Sequence, residues 1–415
     1  MLVSRMNVLM FGWEFPPLVS GGLGTACYGL TKGLSDDGIN ITFVMPNAPG
    51  NIKSHVRIRS ASKDNCTNCK EIRITTTLRP YMSATSYSET WNKTMHNNKM
   101  SSLYGKNLYD EVHRYAREAG AISREEDFDI IHAHDWLTYK AGIHAKLVTG
   151  KPLVVHVHAT EFDRTGGNCN QYVYDIEREG MHMADHIIAV SEYTKKTICT
   201  HYGVSYDKIT VVHNGVDNGF NVPYAYDNPF AGKKVVLFLG RLTIQKGPEY
   251  FLQAASRVAK SDPEAVFVIA GDGDKMHESI ELSSRLGISD KVFFSGFLTG
   301  EDVHRAYRMA HVYVMPSVSE PFGITAEEAA ANGTPVIVSK QSGVSEVMKH
   351  ALKTDFWDVD KLSSYISSIL RYPSLKSTLS VNGQAEISMI DWKSASRKTI
   401  IVYDKLLSGY SRAYT

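Results

Sequence analysis

The chain has 415 residues, more than one ordinary hydrophobic core supports, so two domains or more are expected. Apolar residues make up 43% and charged residues 21%, the balance of a globular enzyme, and a formal net charge of +1 gives no electrostatic case for nucleic acid as a partner. No apolar run approaches the roughly 20 residues that span a bilayer, and the stretch Val8 to Phe11 is too short for the apolar part of an export signal, so a cytoplasmic protein without a stable membrane anchor is expected.

In chain order, Met6 is a candidate natural start, and the run NVLMF after it reads as a buried strand. GGLG breaks that run, and TACYGLTKGLSDDG reads as a helix with Gly38 just past its end. ITFVM is the next strand. A long segment follows, Asn47 to Asp127, carrying Tyr81, Tyr87, Trp91, Tyr104 and Tyr109; loops this long are uncommon without a role. Its amphipathic stretch 103–119 has a polar face of mixed charge, which fits a supporting helix better than a cationic interfacial one. FDIIHAH, PLVVHVH, HIIAVS and ITVVHNG are further short apolar runs, the sign of a parallel sheet covered on both faces.

Residues 218–234, rich in Asn, Pro and Gly, read as a linker. A second series then begins: VVLFLG, VFVIAGDG, VFFSG, HVYVMPS and PVIVS, with helical stretches between. The fold class implied is α/β, two Rossmann-like doubly wound units with a cleft between them, ligands sitting at the carboxyl ends of the strands. DWKSASRKTIIVYDKLLSGY closes the chain as a helix whose apolar stripe would be Trp392, Ile400, Ile401, Tyr403, Leu406 and Leu407.

Several chemistries are disfavoured. Five cysteines, at 27, 66, 69, 169 and 199, are scattered; Cys66-x-x-Cys69 has no second pair at zinc spacing, and no metal or cofactor is expected. From Gly22 the glycine loop runs G-x-G-x-x-Cys27, without a third glycine, and the second strand ends Val44-Met45-Pro46 with no acid for a ribose. Both absences argue against a nicotinamide or flavin enzyme. Gly240-Arg-Leu-Thr-Ile-Gln-Lys246-Gly is not a P-loop, yet Arg241 and Lys246 stand just past a strand, where two cations suit a diphosphate. The stretch SEPFGITAEEAAANGTPVIVS holds Glu320 and Glu328 eight apart. Thr325 and Glu328 also satisfy a capping box, T-x-x-E, so a purely structural role for Glu328 stays open on the residues alone. The histidines at 182, 186, 201, 277 and 304 suggest no ligand role.

Taken together, GRLTIQKG, AGDGD and MPSVSEPFGITAEEAAANGTPVIVS resemble the retaining GT-B glycosyltransferases of the family-4 type. FGWEFPPLVSGGLGT, HAHDW, VVHVHATEFDR, VVHNGVD and the closing DW…VYDKLL extend the resemblance over nearly the whole chain; HAHDW and HATEFDR resemble its glycogen and starch synthase branch. The resemblance implies an acceptor-side domain over 1–220 with 391–415 crossing back, and a donor domain over 221–390. It implies that Glu320 meets the donor sugar and Glu328 the ribose. Phe322, Gly323 and Ile324 would present backbone amides, Arg241 and Lys246 take the diphosphate, and Gly22 close over it. Phe297 and Leu298 would lie near the base, His158 face the reacting carbon, and Asp135 stand on the acceptor side. His158, Glu320, Arg241 and Lys246 are thus the expected catalytic set. No metal is implied; the co-substrate is a nucleotide-sugar, UDP- or ADP-glucose, and the acceptor an α-glucan or other carbohydrate. One departure stands out: bacterial glycogen synthases carry Lys-x-Gly-Gly-Leu where this chain has Val19-Ser20-Gly21-Gly22-Leu23, so one phosphate-side cation is missing. Half the expected site precedes the linker and half follows it, so closure of the cleft is expected during catalysis. The competing readings are a surface-polysaccharide or glycolipid transferase, a GT-B sugar-nucleotide epimerase that consumes donor alone, and a non-catalytic nucleotide-sugar binder.

Overall fold

The computed structural model describes residues 6–16, 21–46, 54–60, 108–216 and 228–413. Two parallel sheets organise the chain. The first holds β1 (Asn7–Phe11), β2 (Asn40–Met45), β3 (Arg57–Ser60), β4 (Ile130–His134), β5 (Leu153–Val157), β6 (His186–Ala189) and β7 (Ile209–Val211), in spatial order β3-β2-β1-β4-β5-β6-β7. The second holds β8 (Lys234–Leu239), β9 (Ala265–Ala270), β10 (Val292–Gly296), β11 (Val312–Met315), β12 (Val336–Ser339) and β13 (Leu352–Thr354), in order β10-β9-β8-β11-β12-β13. In each sheet the strand order reverses about the first strand of its series, β1 and β8, which opens a crevice at the carboxyl ends. The central strands are buried on both faces, as their apolar runs require, broken in β4 and β5 only by buried histidines.

Helices cover both faces. The helix Gly22–Asp36 ends as its sequence indicates, with Gly38 at φ +87° just beyond it. The helix Leu108–Glu125 answers the amphipathic stretch: Leu108, Val112, Tyr115, Ala116 and Ala119 are buried, and Tyr115 Oη donates to the carbonyl oxygens of Val44 at 2.7 Å and Gly12 at 3.2 Å. It supports β1 and β2, and Tyr109 packs against Tyr172 with ring centroids 4.3 Å apart. Tyr81, Tyr87, Trp91 and Tyr104, like Val19, Cys66, Cys69 and most of the linker, lie outside the described residues. Among the described residues no helix is long and apolar enough to cross a membrane.

The final helix, Trp392–Ala413, lies on the first sheet. Trp392, Ala395, Val402 and Tyr403 join the core formed by Val8, Met10, Phe43 and Leu30. Gly29 makes this possible: a Cβ there would sit 2.1 Å from the Trp392 ring. Val402, not Ile401, completes the apolar stripe; Ile401 is 66% exposed. The helix turns about 100° per residue, and with Tyr403 buried the inward arc reaches back to Val402 and Thr399 rather than to Ile401.

Candidate active site

The carboxyl ends of the two sheets face one another across a cavity of about 470 Å³. Gly22 and His158 line it from the first sheet; Arg241, Lys246, Phe297, Leu298, Glu320, Phe322, Gly323, Ile324 and Glu328 line it from the second. Eleven of the residues singled out from sequence are therefore brought to one place.

Each is held by local geometry. β8 ends at Gly240, and Gly271 after β9 runs so close beneath it that a Cβ on Gly271 would lie 1.9 Å from the Gly240 carbonyl oxygen. Gly271 also sits at φ +140°, which side chains rarely adopt. This approach aims Arg241 into the cavity. Lys246 closes a short 3-10 turn, Ile244–Lys246, and its Nζ donates to Glu320 Oε2. One ammonium hydrogen is engaged there, leaving others for an anion. Ser317 Oγ donates to the same Glu320 oxygen at 3.2 Å. Glu320 itself is pinned by backbone: its N–H donates to the Gln341 carbonyl and its carbonyl accepts from Gly343 N, both at 2.9 Å.

The capping-box alternative for Glu328 fails here. The helix Ile324–Ala331 begins two residues before a Thr325 cap would start it, its N-cap being Gly323 at φ +117° with no side-chain cap. The Thr325 hydroxyl instead accepts from Tyr313 Oη at 2.8 Å. Glu328 faces the cavity, one oxygen fixed by Tyr307 Oη at 3.0 Å. A Cβ on Gly323 would meet Met315 at 2.9 Å and Val344 at 3.0 Å, so the loop lies against the domain with its first helical amides open to the cavity.

Asp135 is placed differently from the others. It does not line the cavity and is 3% exposed. At φ +58° it forms the sharp turn after β4, and its Oδ1 accepts from His158 N at 2.7 Å and Ala159 N at 3.3 Å. Burial raises its carboxyl to about 6, with Arg164 and the two amides opposing. Its observed work is to hold the His158 turn. Glu161 and Asp163, the other acids of that turn, are likewise committed: Glu161 to Arg164, and Asp163 to the Thr160 cap and to Ser319 Oγ.

Four imidazoles stack at the carboxyl ends of β4 and β5: His132 and His134 on β4, His156 on β5 and His158 just past its end. His132 stacks on His134 with centroids 4.4 Å apart and His156 on His158 at 4.2 Å. Burial holds them neutral, lowering His132 and His158 to about 3 and the other two well below their usual range. Ligand atoms of His132, His134 and His156 lie within 4.8 Å of one another, as do those of Cys27, His134 and His158. In the first group the rings are within 15–27° of parallel, so their lone pairs run side by side and do not converge on one ion.

Neither nitrogen of His156 has a hydrogen-bond partner. His156→Leu is therefore expected to be neutral or to stabilise by about 1 kcal/mol, because a buried unsatisfied polar group is removed without loss of shape. The folded-state pKa of these histidines lies below the unfolded value, so their contribution is full above about pH 6.5 and is lost as pH falls towards 3. Thermal melts from pH 7 to pH 4 should accordingly be less steep in pH for the Leu variant.

Sequence reasoning missed the contacts that join the domains. Ser191 Oγ and Thr194 Oγ1 donate to the Pro321 carbonyl at 2.6 and 3.3 Å, and Ser319 Oγ donates to Asp163. Glu346 accepts from the backbone N–H of Glu192 and Tyr193 at 2.9 and 2.7 Å, at the start of the helix Glu192–Tyr202, and lies 3.1 Å from His213. It also missed His304, which lines the cavity. These are single residues outside any motif, and only the Ser191 N-cap was readable locally.

Comparison with known proteins agrees with this geometry. The family described as Glycosyltransferase Family 4 matches residues 20–220, and the family Glycosyl transferases group 1 matches residues 227–386. An uncharacterized glycosyltransferase of Methanocaldococcus jannaschii is 28% identical, covering 96% of this chain and 98% of the relative. Glycogen synthase of Mycobacterium tuberculosis is 27% identical over 96% and 94%. D-inositol 3-phosphate glycosyltransferase of Mycolicibacterium smegmatis is 30% identical over 69% and 68%. Among solved structures, sucrose-phosphate synthase from Thermosynechococcus elongatus superposes with a TM-score of 0.74 at 19% identity, over 98% of this chain and 100% of that one. Anabaena HepE in complex with UDP and glucose gives 0.70 at 17%, over 97% and 100%. With two doubly wound sheets facing one cavity and both halves matched, the chain belongs to the GT-B glycosyltransferases of the family-4 type.

Proposed function

We propose that the protein moves a hexose, glucose in the first instance, from UDP- or ADP-glucose to an α-glucan or malto-oligosaccharide, with retention of configuration and without a metal. The observation that carries this reading is the single cavity in which two cations, Arg241 and Lys246, and the open start of the helix Ile324–Ala331 face His158 across the domain boundary. A nucleoside diphosphate fits the cationic side, Glu328 the ribose and Glu320 the sugar. The bond from the anomeric carbon to the phosphate oxygen breaks, its electron pair staying on the diphosphate, where Arg241 and Lys246 balance the added charge. The acceptor hydroxyl attacks from the same face, and its proton passes to that phosphate oxygen. Among the described residues no pair of carboxylates flanks the cavity near His158, since Glu161 and Asp163 are turned to Arg164, Thr160 and Ser319. A glycosidase-like double displacement is thereby disfavoured.

The glucan acceptor is supported by the glycogen synthase relative and by the charge around Asp135. Among the described residues the nearby cations are matched already: Lys140 with Glu179, and Arg164 with Glu161 and Glu177. A phosphate-bearing acceptor would need an uncommitted cation there. The test supplies labelled donor with glycogen, maltoheptaose, glucose 6-phosphate, inositol phosphate or a lipid-linked sugar. Label is expected in the glucans; transfer to a phosphate or lipid acceptor alone, with none to the glucans, overturns the acceptor assignment.

A further inference from the structure

We infer that His134 is a positioning residue that fixes His158 as the tautomer protonated on Nδ1, so that His158 presents the cavity with a hydrogen-bond donor. The inference rests on the transfer reading, in which His158 faces the reacting sugar.

His134 Nδ1 and His158 Nε2 are 2.9 Å apart, and exactly one proton can lie between two neutral imidazoles. If His158 supplied it, the proton of His134 would sit on Nε2, which is buried and has no partner. Orphaned buried N–H groups are rarer than bare acceptors. If His134 supplies it, only an acceptor lone pair is left unmatched, and the proton of His158 moves to Nδ1. His158 lines the cavity, and on this inference its Nδ1–H is the donor offered to an oxygen of a bound sugar. Burial keeps both rings neutral at ordinary pH, so the role is donation from a fixed N–H and not proton shuttling. Asp135 completes the arrangement by holding the His158 main chain. His132 stacks on the far side of His134 and is itself anchored through Nδ1 to Tyr403 Oη at 2.5 Å, which ties the ring stack to the closing helix.

The test is nitrogen-15 NMR of the full chain labelled at histidine, with two variants. His158 is expected to show a protonated Nδ1 and a bare Nε2. His134→Asn keeps a side-chain N–H near the same place and should keep that tautomer and turnover within about threefold. His134→Phe keeps a stacked ring without the donor; the His158 tautomers should mix and kcat fall about 10- to 100-fold, with little change in KM for the donor. A wild-type His158 protonated on Nε2 overturns the inference without any variant, and so does an unchanged His158 spectrum in His134→Phe. Full turnover in His158→Ala would instead remove His158 from the transfer reading, while the spectra still decide what His134 does to it.

Discussion

Arg241→Ala is expected to lower kcat by about 10²- to 10³-fold, on the order of 3–4 kcal/mol of barrier. The guanidinium stands at the carboxyl end of β8, the strand about which the second sheet reverses, and faces the cavity. A diphosphate gains negative charge as the sugar leaves, and a preorganised cation in a closed site stabilises that charge more than it stabilises the bound donor. Arg241→Lys should recover only part of the loss, because an ammonium cannot fork onto two phosphate oxygens. Lys246 is the milder site, since its ammonium is shared with Glu320. Steady-state kinetics with saturating donor checks this; near-normal turnover in Arg241→Ala would separate the cavity from the chemistry.

Gly271→Ala should be the most damaging small substitution in the second domain. The new Cβ would start 1.9 Å from the Gly240 carbonyl, backbone against backbone, with φ at +140°. Strain of about 1–3 kcal/mol from the dihedral adds to about 1–3 kcal/mol from overpacking, and relief requires β8 and β9 to part at the point that aims Arg241. A lowered thermal midpoint and a weakened nucleotide-sugar interaction should therefore appear together. Gly232→Ala is the control: it also has a positive φ, at +78°, but its Cβ meets nothing within 4 Å, so it should show a smaller stability loss and ordinary ligand binding.

Much of this architecture was legible in the residues because buried parallel strands leave unbroken apolar runs and helix ends leave glycines, as NVLMF and Gly38 do. The second-sheet lining of the cavity was equally legible, since Arg241 and Lys246 follow one strand at a fixed spacing and Glu320 and Glu328 lie eight apart on the loop and helix after another. β3 was not legible: Arg57–Ser60 reads RIRS, charged and half-buried at a sheet edge, without an apolar run. The histidine stack was hidden for another reason. HAH and HVH each read as alternating residues of one strand, and only the register that pairs His134 with His156 puts all four rings together. Asp135 shows the same limit from the other side. The resemblance put it on the acceptor side, and its backbone at φ +58° turns the carboxylate onto the His158 amide. The joints between domains, Ser319 to Asp163 and Glu346 to the start of Glu192–Tyr202, link residues more than 150 apart in sequence, where no local pattern reaches.

The most direct test of the account is incubation of the purified chain with labelled UDP-glucose or ADP-glucose, with and without maltoheptaose, followed by proton NMR of the new linkage. The account predicts that label enters the oligosaccharide only when acceptor is present, through an α bond, and that Arg241→Ala abolishes most of it. Conversion of the donor alone into another nucleotide-sugar, a β bond, or binding of donor with no turnover under any acceptor would contradict it.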